Sequence, residues 1–242
     1  MNNPTQTRSG AFLNGARDTF PLILAAIPFG IVYGALAVAG GLSQAATLAM
    51  SLFVFAGSSQ FIAVTLLASA AALPVIILTV FIVNLRHMLY AASLMPEVKS
   101  LPQRVRAILA FWLTDETYAV VANRINQQPN DPQLCWYWIG SAVAMYSNWV
   151  FCSWLGMTLG QQIPDLTSWG LDIAMVVAFI GIVVPSLKAL PQWACALTAA
   201  VAAMASYDWP HQTGLLFSAV VAIAVGLLLE QKTVKAETAE AV

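Results

Sequence analysis

Inside an otherwise oily segment from Pro74 to Met95 stand Asn84, Arg86 and His87, with Tyr90 one helical turn beyond Arg86. Further along the chain, Thr114 leads directly into Asp115 and Glu116. An ionisable side chain at membrane depth costs on the order of 2.5–3.5 kcal/mol even on lenient insertion scales, so such groups face an interior and act there. On a helix Arg86 and Tyr90 share one face and Asn84 and His87 another, whereas Arg86 and His87 diverge by about 100°. Two adjacent interior faces are thus polar. Asp115 and Glu116 cannot both point one way, so at most one of them pairs with Arg86. Asp115 is the expected partner, which leaves Glu116 or His87 to carry a proton. A plainer alternative has Arg86 snorkelling to the cytoplasmic interface while Asp115 and Glu116 only cap a helix. His87 is equally readable as a hydrogen-bonded interior histidine.

A second polar stretch interrupts the long apolar run from Gln44 to Ala72, at Phe55-Ala56-Gly57-Ser58-Ser59-Gln60-Phe61. Glycine is the usual residue just past a helix C-terminus and serine a preferred N-cap, so Gly57-Ser58-Ser59 is expected to end one half-helix and begin another. The alternative is one continuous helix whose small polar residues pack against a neighbour. A zwitterion would suit these groups. Half-helix amides near Ser58, Ser59 and Gln60 would receive a carboxylate, an acid from Asp115-Glu116 an ammonium group, and aliphatic walls an apolar side chain. The sequence holds no metalloprotease, nucleophile-elbow or phosphate-loop motif and no clustered metal ligands, so neither a cofactor nor a metal is expected. A membrane-embedded enzyme using His87 and Asp115, or a non-transporting scaffold, stays as the competing class.

Elements that could hold such groups at depth follow from composition. Hydrophobic residues make up 60% of the 242-residue chain and charged residues 9%, against roughly 25% charged in ordinary soluble domains; mean hydropathy is +0.76. This is an integral membrane protein, and its continuous Leu, Ala, Val and Ile runs favour helices over the short alternating segments of a barrel. The net charge of −1 points to no nucleic-acid partner. Cys135, Cys152 and Cys195 form no disulfide or metal pattern, and packing is their expected role. A polar cytoplasmic N-terminus is expected over 1–18, one transmembrane transport domain over 19–229, and a charged, frayed tail from Glu230.

In chain order, the first span starts near Phe20 and is expected to kink at Pro28-Phe29-Gly30. A loop over Pro96–Arg106 with Lys99, Arg104 and Arg106 should lie on the cytoplasmic side. The run Ala107–Asn123 is expected to break where Thr114 caps Asp115 and Glu116. A polar connection from Arg124 to Gln133, a long uncharged run from Leu134 to Gly160, and segments near Ile173–Leu187, Trp193–Ser206 and Thr213–Leu229 follow. If the N-terminus and Lys232 and Lys235 are inside, Arg124 and Lys188 fall inside and Asp165, Asp172 and Asp208 outside. Upstream, either both early runs cross, for eight crossings, or both re-enter, for six, and only re-entry keeps Lys99, Arg104 and Arg106 inside. His211 is expected in a loop, and Gly30-Ile31-Val32 faintly repeats as Gly181-Ile182-Val183.

The three stretches Phe55-Ala56-Gly57-Ser58-Ser59-Gln60-Phe61, Asn84-Leu85-Arg86-His87-Met88-Leu89-Tyr90 and Leu113-Thr114-Asp115-Glu116, in that order, resemble the AzlC family of branched-chain amino acid permeases, the large subunit of two-component exporters. Many relatives carry alanine where this chain has Ser58. The resemblance implies an inner-membrane, multi-pass bacterial protein that works with a small AzlD-type subunit in the lipid bilayer. It further implies export of hydrophobic amino acids such as valine, isoleucine, leucine or methionine on the proton gradient, and it does not say which residue carries the proton.

Overall fold

The computed structural model describes residues 7–159, 180, 184, 187–209 and 213–240, and among them the only regular secondary structure is helical. Two compact units are distinguished, Met1–Phe179 and Ile180–Val242. The expectations that fall on Asp165, Asp172, His211, Gly181-Ile182-Val183 and most of the run near Ile173–Leu187 lie outside the described residues, as do the side chains of Lys232 and Lys235.

The first unit is built on two long helices, α1 (Arg8–Ala39) and α7 (Leu134–Leu159). They pack in parallel at backbone contact. A Cβ on Gly15 would strike the Tyr137 carbonyl, one on Gly34 the Ser153 carbonyl, and one on Gly156 the Ile31 carbonyl. Glycine is what lets the backbones approach so closely, a common device where apolar packing offers little drive between membrane helices. Thr19 donates to Ser141 Oγ at 2.6 Å across the same seam. α1 runs unbroken through Pro21 and Pro28. It also begins well before the expected span: Arg8 to Asp18 form its first turns, with Asp18 accepting from Tyr137 Oη at 2.7 Å. The polar segment there is therefore docked helix, because positions one turn apart, Ala11 and Gly15, are buried against α7.

Between these pillars come α2 (Gln44–Phe53), α3 (Gly57–Ala68), α4 (Leu73–Val98), α5 (Gln103–Phe111) and α6 (Asp115–Gln127). Among the described residues, α1 and α4 are long and apolar enough to cross a bilayer. At about 1.5 Å per residue, α2 and α3 reach only about 15 and 18 Å, half a bilayer each. They fold back on one another. α2 starts just after Gly40, and a Cβ on Gly40 would meet Ala68, the last residue of α3, at 3.5 Å. Gln60 Nε2 also reaches Ser51 Oγ at 3.2 Å, although nine residues of continuous helix would separate them by about 13 Å. The segment enters and returns beside the end of α1.

The second broken segment, α5 and α6, returns in the same way at the other end. Leu94 and Val98 at the close of α4, Leu109 of α5, Val121 of α6 and Leu134 at the head of α7 share one buried cluster, with Leu101, Val105 and Ile125 against it. α4 continues through Pro96 to Val98, and Arg104 and Arg106 lie within α5, so the expected Pro96–Arg106 loop shortens to the turn before Gln103.

In the second unit, α8 (Leu190–Ala205) and α9 (Thr213–Glu240) form an antiparallel pair. Ser206 Oγ donates to the Gly214 carbonyl at 3.1 Å, and a Cβ on Gly226 would meet Cys195 Cβ at 3.1 Å. The backbone of α9 stays helical beyond Glu230 to Glu240, where a frayed tail was expected.

Candidate functional site

Both broken segments present an N-terminal helix end at their tips. In the first, the break falls at Val54-Phe55-Ala56, not at the glycine and serines. Phe55 takes the left-handed conformation (φ 43°), Ala56 occupies the N-cap, and Gly57, Ser58 and Ser59 form the first turn of α3. The reason is packing. Phe55 buries its ring edge-on against Tyr146 at 4.8 Å, and Gly57 leaves room for Trp149, whose ring a Cβ would meet at 2.9 Å. No side chain caps α3. The second tip follows the sequence rule: Thr114 is the N-cap, accepting from the Thr117 amide at 3.4 Å, with Asp115 and Glu116 in the first turn.

Arg86 joins the tips. It sits halfway along the 26 residues of α4, donates from Nη2 to Ser58 Oγ at 2.5 Å, and pairs through Nη1 with Asp115 Oδ2 at 2.9 Å. Tyr90, one turn on, donates to Asp115 Oδ1 at 2.7 Å, so both carboxylate oxygens are engaged. The side chain of Arg86 is 26% exposed and that of Asp115 11%, and Arg86 Nε is buried with no hydrogen-bond partner. Two kinds of donor lack a side-chain acceptor here: the buried Nε–H of Arg86 and the first turn of α3, whose end carries the positive pole of the helix.

The remaining residues singled out in the sequence divide. Ser59, 1% exposed, donates to Asn84 Oδ1 at 2.6 Å and ties α3 to α4 next to the pair. Gln60, fully buried, is not brought to Arg86. It belongs to a closed ring of hydrogen bonds in which Trp149 Nε1 donates to Gln60 Oε1 (3.0 Å), Gln60 Nε2 to Ser51 (3.2 Å), Ser51 to Ser153 (2.9 Å) and Ser153 to the Trp149 carbonyl (2.7 Å). Its amide is spent on packing. His87 stands edge-on to Tyr90 at 5.9 Å between ring centroids. Glu116 adjoins Asp115 and joins no ion pair among the described residues.

Three features escaped the sequence reading. Tyr146, midway along α7, touches both tips: its hydroxyl donates to the Leu52 carbonyl at 2.9 Å, and its ring meets Phe55, Phe111 and Trp112. Tyr118 stacks on Tyr90. Arg124, expected to open a polar connection, is buried in the last turn of α6, pairs with Asp131 at 2.8 Å and lies over the Tyr137 ring. Only the midpoint position of Tyr146 in an uncharged run hinted at its place. The partners of Tyr118 and Arg124 are long-range or loop-borne.

Two helix-break-helix segments whose tips meet at Arg86, midway along α4, belong to an all-helical membrane protein. The chain belongs to the AzlC protein family, which matches residues 21–163; this is a family associated with transport. It is 29% identical to the Inner membrane protein YgaZ of Escherichia coli over 91% of this chain and 88% of that one. It is also 33% identical to an uncharacterized membrane protein of Archaeoglobus fulgidus, over 75% of this chain and 78% of that one. With the Branched-chain amino acid transport protein AzlC of Bacillus subtilis it shares 26% identity over 70% of this chain and 65% of that one. No solved structure matches.

Proposed function

We propose that this protein is a multi-pass secondary transporter of the bacterial inner membrane that exports branched-chain or other small hydrophobic amino acids, with a small AzlD-type subunit and on the proton gradient. The observation that carries the reading is Arg86, held between the two tips with Nε unfilled beside the uncapped start of α3. A substrate carboxylate would be received by Arg86, Ser58 and the first-turn amides of α3, with Ser59 and Asn84 holding that turn against α4. The ammonium group would be received by Asp115 in exchange for part of its bonds to Arg86 and Tyr90, and Glu116 or His87 would hold the coupled proton. The name of the Bacillus subtilis relative supports the substrate class, and the order of the three polar stretches supports the two-component partner.

The test is efflux from cells preloaded with a valine- or methionine-containing dipeptide, comparing this protein alone, with the small subunit, and with Arg86→Ala in that pair. Efflux that needs both subunits and Arg86 is the expected outcome. No efflux of any apolar amino acid, with both proteins in the membrane, would sink the substrate assignment.

A further inference from the structure

Just beyond the Arg86–Asp115 pair, α4 and α6 exchange hydroxyl contacts. Tyr90 of α4 donates to Asp115 of α6 at 2.7 Å, and Tyr118 of α6 lies 3.2 Å from Ser93 Oγ of α4. Between these crossed contacts the two phenol rings stack, centroids 4.5 Å apart and 15° from parallel. Partners rise together along both helices, from Arg86 with Asp115 to Tyr90 with Tyr118 to Ser93 with Tyr118, so α4 and α6 run the same way here. The charged pair is thus inboard, at the middle of α4, and Ser93, which is exposed, is outboard toward Val98 and Lys99. A solute passing between α4 and α6 from that end meets Tyr118 and Tyr90 before Arg86.

We propose that the crossed Tyr90–Tyr118 pair, with Ser93 as its outer catch, is a latch closing the Arg86–Asp115 site on the side where α4 ends, and that occupancy of the site releases it. The link is Asp115, whose two oxygens hold Arg86 and Tyr90 at once. A ligand ammonium taking up Asp115 withdraws the acceptor that fixes Tyr90, leaving the stack held by Ser93 alone. One ring stack and one neutral hydrogen bond are weak closures, so the latch can open on ligand binding. Release by ligand rests on the proposed substrate reading; closure by the rings does not.

The two parts separate in one experiment. With Cys135, Cys152 and Cys195 replaced by serine, Ser58→Cys is placed as a reporter beside Arg86, and labelling by a membrane-impermeant maleimide is timed from the side where α4 ends. Tyr118→Ala is expected to speed labelling at least tenfold. Tyr118→Phe, which keeps the ring and loses the Ser93 contact, is expected to speed it about threefold, and Ser93→Ala to match it. Release by ligand is read with Ser58 intact and Ser93→Cys as the only cysteine, whose labelling valine is expected to speed as the Tyr118 contact is lost. Parental rates in a monodisperse Tyr118→Ala protein overturn the latch. Should that variant fail to fold, parental rates in both Tyr118→Phe and Ser93→Ala overturn it instead. If Tyr118→Ala opens the site while no apolar amino acid changes labelling in any variant, the latch stands and the substrate reading falls.

Discussion

The two broken segments solve one problem in opposite ways. Both interrupt an apolar run with a helix end that must find partners outside its own helix. The tip of α2 and α3 is neutral and uncapped, and it is bolted to the α1–α7 pillars through Gln60, Trp149, Ser51 and Ser153, with Tyr33 donating to the Thr47 carbonyl at 3.1 Å. The tip of α5 and α6 is capped by Thr114 and acidic, and it meets α4 through Arg86, Tyr90 and Ser93. One tip offers a neutral helix N-terminus, which the proposed function makes the receiver of negative charge. The other carries its own negative charge, on contacts that the same proposal has a ligand exchange. The lesson is a division of labour in which rigidity and charge sit on different hairpins, with Arg86 bridging them.

Substitutions can break that contrast, and the largest effect is expected at the exchangeable tip. Asp115→Asn removes the charge facing Arg86 and should abolish transport while the protein still inserts and stays monodisperse; near-normal efflux in that variant would show that no charge is needed there. Gln60→Ala attacks the fixed tip instead. It strands Trp149 Nε1 and disturbs Ser51, so stability should fall by about 1–3 kcal/mol, read as a lower melting temperature in detergent, with the affinity for substrate little changed. A lost affinity with unchanged melting would invert the assignment. Thr114→Ala removes a single cap and should cost about 1 kcal/mol; thermal unfolding that matches the parent would mean the acidic tip is held by its charged contacts alone.

Much of this was legible in the chain because burial of charge is so costly in a membrane. Arg86, Asp115 and Tyr90 could be grouped from type and helical spacing, and the break before Asp115 followed from threonine ahead of two acids. The other break was displaced by about one turn. Glycine and serine signalled a cap, yet Phe55 accepts positive φ because its ring gains a buried place against Tyr146, a gain that depends on a residue far along the chain. The hydrogen bonds of Gln60 could not be foreseen for a similar reason: its partners, Ser51 and Trp149, come together only when α2 and α3 fold back onto α7. Local propensity cannot report contacts made by tertiary closure.

The most direct test of the bridge is calorimetric titration of valine and methionine into the purified protein with its small subunit, comparing the parent, Arg86→Ala and Gln60→Ala. A site at Arg86 predicts that Arg86→Ala loses at least a hundredfold in affinity while Gln60→Ala, though less stable, binds within a few fold of the parent. Equal binding by the parent and Arg86→Ala would contradict it.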